Sequence, residues 1–318
     1  MQELRIDEVN NDLVIVANNR SKRPMDKIKN QTEEEIQVEY DLNCPFCRGN
    51  ESYATIERYK IEDNSGWLTR SVDNKFPIVD ELSDEIYGVH EVIIDTYRHN
   101  GTFYNMSELE FQDLFKTYKN RYKEFMKSES VQYVNIFKNF LRKSGASLTH
   151  PHSQIISLSL VPPEINKEEE VASKYFKENK TYLYDDIIKK EIEYKKRVIN
   201  DNRYFLTIVP YASKYSGEVR IIFKEKIKFE QISDDHIKEL SKVFNRLFKN
   251  LYKVNGYDPF NLCIHTHSKK LENKDEFNVH MHIIPRKYSF GGFELGTGMY
   301  VSSTNPEELA NKLNFELD

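Results

Sequence analysis

The sequence predicts an α+β fold made of two like halves. Three observations carry that expectation. Runs rich in β-branched and aromatic residues alternate with two long amphipathic segments. Each long segment is followed by one strand-like run and then by a second that carries a His-x-His pair. The pairs, His150/His152 and His280/His282, hold matching places in that order, as an internal duplication would put them. Antiparallel sheets with flanking helices, facing a common region, suit two such halves.

The elements are read in chain order. Strand runs are LVIVA (13–17), YATIERYKI (53–61), WLTRSV (67–72) and HEVIIDTY (90–97). The segment from Ser107 places Phe111, Leu114, Phe115, Tyr118, Tyr122, Phe125 and Met126 at helical spacing, and Ser107 with Glu110 forms a capping box at its start. VQYVNIF (131–137) is a strand, and SGASLTHPHSQII (144–156) leads into another. Residues 162–200 read as a charged helical linker between an N-terminal half, 1–161, and a C-terminal half, 201–318. YFLTIVPYA and EVRIIFK return to strand patterns. A second long helix starts near Ser233, with Ile237, Leu240, Phe244, Leu247 and Leu251 on one face. Strands FNLCIHTH (260–267) and FNVHMHIIPR (277–286) and a short helix, NPEELANKL, complete the set.

Composition narrows the function classes. The 318 residues suffice for a sizeable core, and 39% hydrophobic with 31% charged residues is ordinary for a globular protein. A formal net charge of −5 argues against a general nucleic-acid binder. No run has the apolar length of a membrane helix, and the start lacks a signal-peptide pattern. Three cysteines argue against a disulfide scaffold, so a cytoplasmic protein with reduced thiols is expected.

Three constellations carry chemistry. In His150-Pro-His152-Ser-Gln154, the alternating residues share one strand face at intervals of roughly 6.6 Å. Three polar side chains make a poor core face. An imidazole can attack phosphorus and hold it covalently, and a neighbouring amide can donate to a phosphate oxygen. The SGAS turn upstream offers backbone N–H groups to the same phosphate. In NCPFCRGNE, Cys44 and Cys47 have the spacing of a zinc half-site, with His90, His99 and His150 as candidate completing ligands; a redox pair is the competitor. In LCIHTH and NVHMHIIPR, four of the nine histidines fall on two neighbouring strands, as a second metal site, an anion site or a half-exposed polar face. The loop NNRSKRP adds Arg20, Lys22 and Arg23, either an anion contact or a solvated turn.

CPFCRGNE, HEVIIDTYRHN, GASLTHPHSQI, NVHMHIIPR and GGFELGTGMY, in that order from about Leu13 to Leu309, resemble the galactose-1-phosphate uridylyltransferase family of the histidine-triad superfamily. The resemblance implies two tandem histidine-triad-like halves and a homodimer. It implies a nucleotidyltransferase that takes a nucleotide sugar and a sugar phosphate. His152 matches the nucleophile and Gln154 the glutamine at the phosphoryl oxygens. Cys44, Cys47, His99 and His150 match structural zinc ligands. Glu168, His265, His280 and His282 match a second divalent metal site, zinc or iron, found in some members. Arg20 and Arg23 match a basic loop near phosphate, Asn74 an asparagine near the nucleotide, and Asn139 and Ser147 phosphate contacts. Ser153 stands where the best-known uridylyltransferases carry glycine, and GASLTHPHSQ and GGFELGTG look more like the branch of ADP-glucose phosphorylases. Uridylyl transfer to a sugar 1-phosphate therefore competes with phosphorolysis of an ADP-sugar or a dinucleoside polyphosphate. A nucleotide hydrolase and a non-catalytic, zinc-stabilised nucleotide binder are the other readings.

Overall fold

The structure, a computed structural model, describes residues 2–22, 36–83, 85–287 and 289–316, with backbone alone for residues 21 and 22. In chain order the N-terminal half holds β1 (Glu3–Ile6), β2 (Leu13–Val16), β3 (Glu57–Asp63), β4 (Gly66–Asp73), β5 (His90–Ile94), α1 (Glu108–Phe125), β6 (Tyr133–Phe140) and β7 (His152–Leu158). Next come α2 (Pro163–Asn179) and α3 (Leu183–Tyr194). Then follow β8 (Val198–Asp201), β9 (Phe205–Ile208), β10 (Val219–Phe223), α4 (Asp234–Asn255), β11 (Phe260–His265) and β12 (His280–Pro285). The chain ends in α5 (Gly292–Thr297), β13 (Tyr300–Ser302) and α6 (Pro306–Leu313).

The halves do not carry separate sheets that face each other. Ten antiparallel strands form one sheet in the order β3-β4-β5-β7-β6-β11-β12-β10-β9-β8. The join is the β6–β11 pair, with Phe140 opposite Phe260 and Ile136 opposite Ile264. Each of these strands would otherwise be an open edge of its own half-sheet, with unpaired backbone groups. The repeat is visible in the layout: β5, α1, β6 and β7 on one side of the join correspond to β10, α4, β11 and β12 on the other. Strands β1, β2 and β13 make a separate three-stranded sheet.

Strand alternation then decides which side chains meet which layer. Ile136, Ile155, Ile264, Met281 and Ile283 point to one face and pack with α1 and α4 in the main core. Phe111 and Phe115 of α1 interlock with Phe244 of α4, the last two at 4.9 Å between ring centroids. The capping box at α1 is made: Glu110 N–H donates to Ser107 Oγ at 3.2 Å, and Ser107 N–H donates to Glu110 Oε2 at 2.9 Å. Such a cap contributes about 1 kcal/mol. His152, Gln154, His280 and His282 alternate with these apolar positions and so lie on the opposite face.

That opposite face is covered differently in each half. On the N-terminal side, the Cys44–Cys47 loop packs Phe46 with Trp67, Val72, Val92 and Ile94. On the C-terminal side, Ala172 of α2 and Leu183, Tyr184 and Ile187 of α3 pack on Leu206, Ile208 and Ile222. The stretch 162–200, read from its charge as a linker, thus supplies a packing layer as well as a connection. Four of its charged residues, Glu168, Glu169, Glu191 and Arg197, are buried. No helix among the described residues is long and apolar enough to cross a membrane.

Candidate active site and metal centres

Cys44 and Cys47 sit in the loop before β3, and His150 arrives just ahead of β7. The structure brings both together with His99, and all four are buried. Cys47 Sγ is 3.2 Å from His99 Nδ1 and 3.7 Å from His150 Nδ1, which is also 3.7 Å from Cys44 Sγ. A tetrahedral zinc with bonds of about 2.3 Å to sulfur and 2.0–2.1 Å to nitrogen needs separations of roughly 3.5 Å between such atoms. The donor set therefore fits zinc. His150 is aimed for it: its Nε2–H donates to the Thr96 carbonyl at 2.9 Å, which leaves Nδ1 as the ligand nitrogen. Burial pushes the His150 imidazole down to about 3, so it is neutral. Burial pushes the Cys44 thiol up to about 12, and a cation is what would favour its thiolate there. His90, weighed from the sequence as a ligand, is not in the cluster.

The second group is Glu168 from α2, His265 from β11, and His280 and His282 from β12. His265 lies directly opposite His280 in the β11–β12 register. Glu168 Oε2 is 3.0 Å from His265 Nδ1 and 3.5 Å from His280 Nε2. Burial favours the neutral acid, yet His265 and His280 hold Glu168 well below the usual carboxylate range. His280 Nδ1–H donates to the Asn278 carbonyl at 2.9 Å, and His282 Nδ1–H donates to Glu218 at 2.7 Å. The Nε2 atoms of both are buried and make no hydrogen bond among the described residues. Orphaned nitrogens converging on a buried carboxylate are what a divalent metal satisfies. His267 is not part of this group; its Nδ1–H turns to the Ser268 carbonyl.

His152 borders a cavity of about 540 Å³. Gln154, Asn74 and Ser147 line the same cavity, as do Phe46, Tyr53, Phe76 and Leu148. The imidazole of His152 packs 5.6 Å from the Phe46 ring. Its Nδ1 lies 2.8 Å from the His150 carbonyl; a carbonyl only accepts, so Nδ1 carries the proton and Nε2 keeps a free lone pair. Burial, and then the Lys138 ammonium, hold His152 below the ordinary histidine range, in its neutral form. Gln154 Oε1 is 2.9 Å from His90 Nε2. Asn139 lies outside this cavity; it borders a small cleft behind His152 and accepts from Asn261 Nδ2 at 2.7 Å. Arg20 is exposed in the turn Asn18–Lys22 and does not line the cavity, and Arg23 lies outside the described residues.

Sequence reasoning missed what stands behind His152. Lys138 and Asp95 form an ion pair of 2.6 Å with both side chains essentially inaccessible. Lys138 Nζ also donates to the His152 carbonyl at 3.0 Å, and Ser153 Oγ donates to Asp95 at 2.7 Å. Tyr118 of α1 completes the set through Ser153. The signal was a lysine at an inward position of β6, in phase with Ile136 and Phe140. Removing one partner of such a pair strands the other. Asp95→Ala is expected to lose about 3–5 kcal/mol of stability in urea unfolding, and Asp95→Leu with Lys138→Met to recover most of it. Equal losses in the single and double variants would show that the pair is not what matters.

Comparison with known proteins agrees with this geometry. The sequence model of the galactose-1-phosphate uridyl transferase N-terminal domain matches residues 1–162. That of a domain of unknown function, DUF4921, matches residues 104–318. An ADP-glucose phosphorylase of Arabidopsis thaliana is 29% identical, over 97% of this chain and 91% of that one. A galactose-1-phosphate uridylyltransferase of Haemophilus influenzae is 24% identical, over 86% and 80%. A solved ADP-glucose phosphorylase from Arabidopsis thaliana with bound ADP-glucose superposes with a TM-score of 0.86 at 27% identity, covering 99% of both chains. Fold and relatives together define a nucleotidyltransferase. The chain belongs to the galactose-1-phosphate uridyl transferase family.

Proposed function

We propose that the chain transfers a nucleoside monophosphate from a nucleotide sugar to a sugar 1-phosphate through a nucleotidyl-histidine on His152. The observation that carries this is the neutral, cavity-facing His152 with Nδ1–H held by the His150 carbonyl. Its Nε2 lone pair attacks the α-phosphorus. The Nε2–P bond forms as the bond to the bridging oxygen breaks, and sugar 1-phosphate leaves with that electron pair. An oxygen of the acceptor phosphate then attacks the same phosphorus, and the pair of the breaking N–P bond returns to Nε2. Gln154 donates to the phosphoryl oxygen as charge develops. Asn74 and Ser147, which line the cavity with His152, contact the nucleotide and its phosphates; Asn139, Arg20 and Arg23 are proposed as phosphate contacts on the family resemblance alone.

Zinc is held by Cys44, Cys47, His99 and His150, and a second divalent metal, zinc or iron, by Glu168, His265, His280 and His282. Residues 1–161 carry the nucleophile and the zinc, and 201–318 form the second half, bridged by 162–200. A homodimer is supported by exposed apolar side chains around the site, among them Leu42, Tyr53, Phe76 and Ile78. Sedimentation should then give twice the chain mass. The free thiols suit the cytoplasm.

The second reading takes an ADP-sugar and phosphate. It is favoured by the Ser153 hydroxyl, whose bond to Asp95 a glycine could not make, and by the likeness to the Arabidopsis thaliana phosphorylase. Intact-mass measurement after incubation with UDP-glucose or ADP-glucose, without acceptor, tests both. A bound uridylyl or adenylyl group identifies the base. No adduct with either, on protein with full zinc, would overturn the covalent mechanism.

A further inference from the structure

We infer that His90 is a positioning residue for the transfer: it fixes which end of the Gln154 side-chain amide faces the reacting phosphate. This deepens, and rests on, the functional reading above. A glutamine amide is nearly symmetric in shape but opposite in polarity at its two ends. Only the NH₂ end can donate to a phosphoryl oxygen; the carbonyl end would repel it. Something must choose between them.

His90 makes the choice. Gln154 is central in β7 and lies opposite Val92 of β5, so His90 is its diagonal neighbour on the same face. His90 is buried and does not line the cavity. Its Nδ1 lies 3.3 Å from the Ile78 backbone N–H, which can only donate. Nδ1 is therefore the acceptor nitrogen, and Nε2 carries the proton. That Nε2–H donates to Gln154 Oε1 at 2.9 Å and ties down the carbonyl end. The NH₂ end is left for the cavity that Gln154 shares with His152.

The ring is held in turn. Asn74 Nδ2 lies 3.0 Å from His90 Nε2 and 3.4 Å from Nδ1, a position over the ring face. Asn74 is itself fixed, since its Oδ1 accepts from Phe76 N–H at 2.8 Å and its N–H donates to the His90 carbonyl at 2.9 Å. Asn74 also lines the cavity, so one rigid unit links the nucleotide-binding wall to the phosphate donor.

The test is a double-mutant cycle read in single turnover with ADP-glucose and with UDP-glucose, measuring the rate of adduct formation on His152. His90→Phe keeps the ring and removes the donor. It should slow adduct formation by about 100-fold, the usual loss for one transition-state donor. In the Gln154→Ala background the same change should alter the rate by less than about threefold, because the side chain it positions is gone. His90→Gln, whose amide can donate, should restore part of the rate. Equal losses in both backgrounds would overturn the inference, as would a wild-type rate in His90→Phe. Long-range proton–nitrogen NMR of the histidines decides it without turnover. The expected state has His90 protonated at Nε2, with that proton shifted in Gln154→Ala. A proton on Nδ1, or no response to Gln154→Ala, would refute it. Wild-type protein that forms no adduct while the NMR holds would instead sink the functional reading alone.

Discussion

His152→Gly should abolish the proposed nucleotidyl adduct and lower turnover by about 10⁴- to 10⁶-fold, the scale on which a covalent nucleophile counts. The expectation follows from how little else at the site can take over. His150 turns its ligand nitrogen towards Cys44 and Cys47 and its other nitrogen to Thr96, so it presents no lone pair to the cavity. His90 is occupied on both nitrogens. The variant should fold, because the neighbouring ion pair of Lys138 and Asp95 anchors β7 through the backbone carbonyl of residue 152 rather than through its side chain. Intact mass, steady-state transfer and metal content are the three measurements. Substantial residual turnover in a folded variant would mean that water or the acceptor attacks directly.

Loss of the metal proposed for the Cys44 cluster is the second large expected effect. Stripping the metal, or Cys47→Ala, should destabilise the protein by on the order of 4 kcal/mol or more, in the range set by lost structural metals. The cysteine loop carries Phe46, which packs on both His150 and His152. The His150 carbonyl also fixes the proton on His152 Nδ1. Loosening the cluster should therefore unsettle His152, and transfer should fall with the metal. Acid should do the same, since protons compete for both thiolates and imidazoles; metal is retained at neutral pH and released as pH falls. Metal analysis against pH, alongside unfolding midpoints, checks this. An unchanged midpoint in fully stripped protein would count against a structural role.

Much of this was legible in the chain. Helical spacing located α1 and α4, because their apolar stripes face one sheet layer. The His-x-His pairs marked β7 and β12, because three polar residues in phase cannot be core. Spacing alone could not rank His90 against His99 as a ligand; the distances do, at 3.2 Å from Cys47 for His99. It also could not see that β6 and β11 pair across the halves, since strand pairing at long range leaves no local pattern. Nor could charge counting assign the stretch 162–200. Glu168 looks in sequence like the exposed Glu170, and only the packing of α2 buries it against three histidines.

The β6–β11 join has a consequence for how the protein is made. β6 is complete at Phe140, but its partner does not begin until Phe260. On a ribosome adding about 5–20 residues per second, the edge of the first half stands open for on the order of ten seconds. During that interval it can pair with the same edge of another nascent chain. Chains truncated before β11 should therefore self-associate, and the full-length protein should refold with yields that fall as concentration rises.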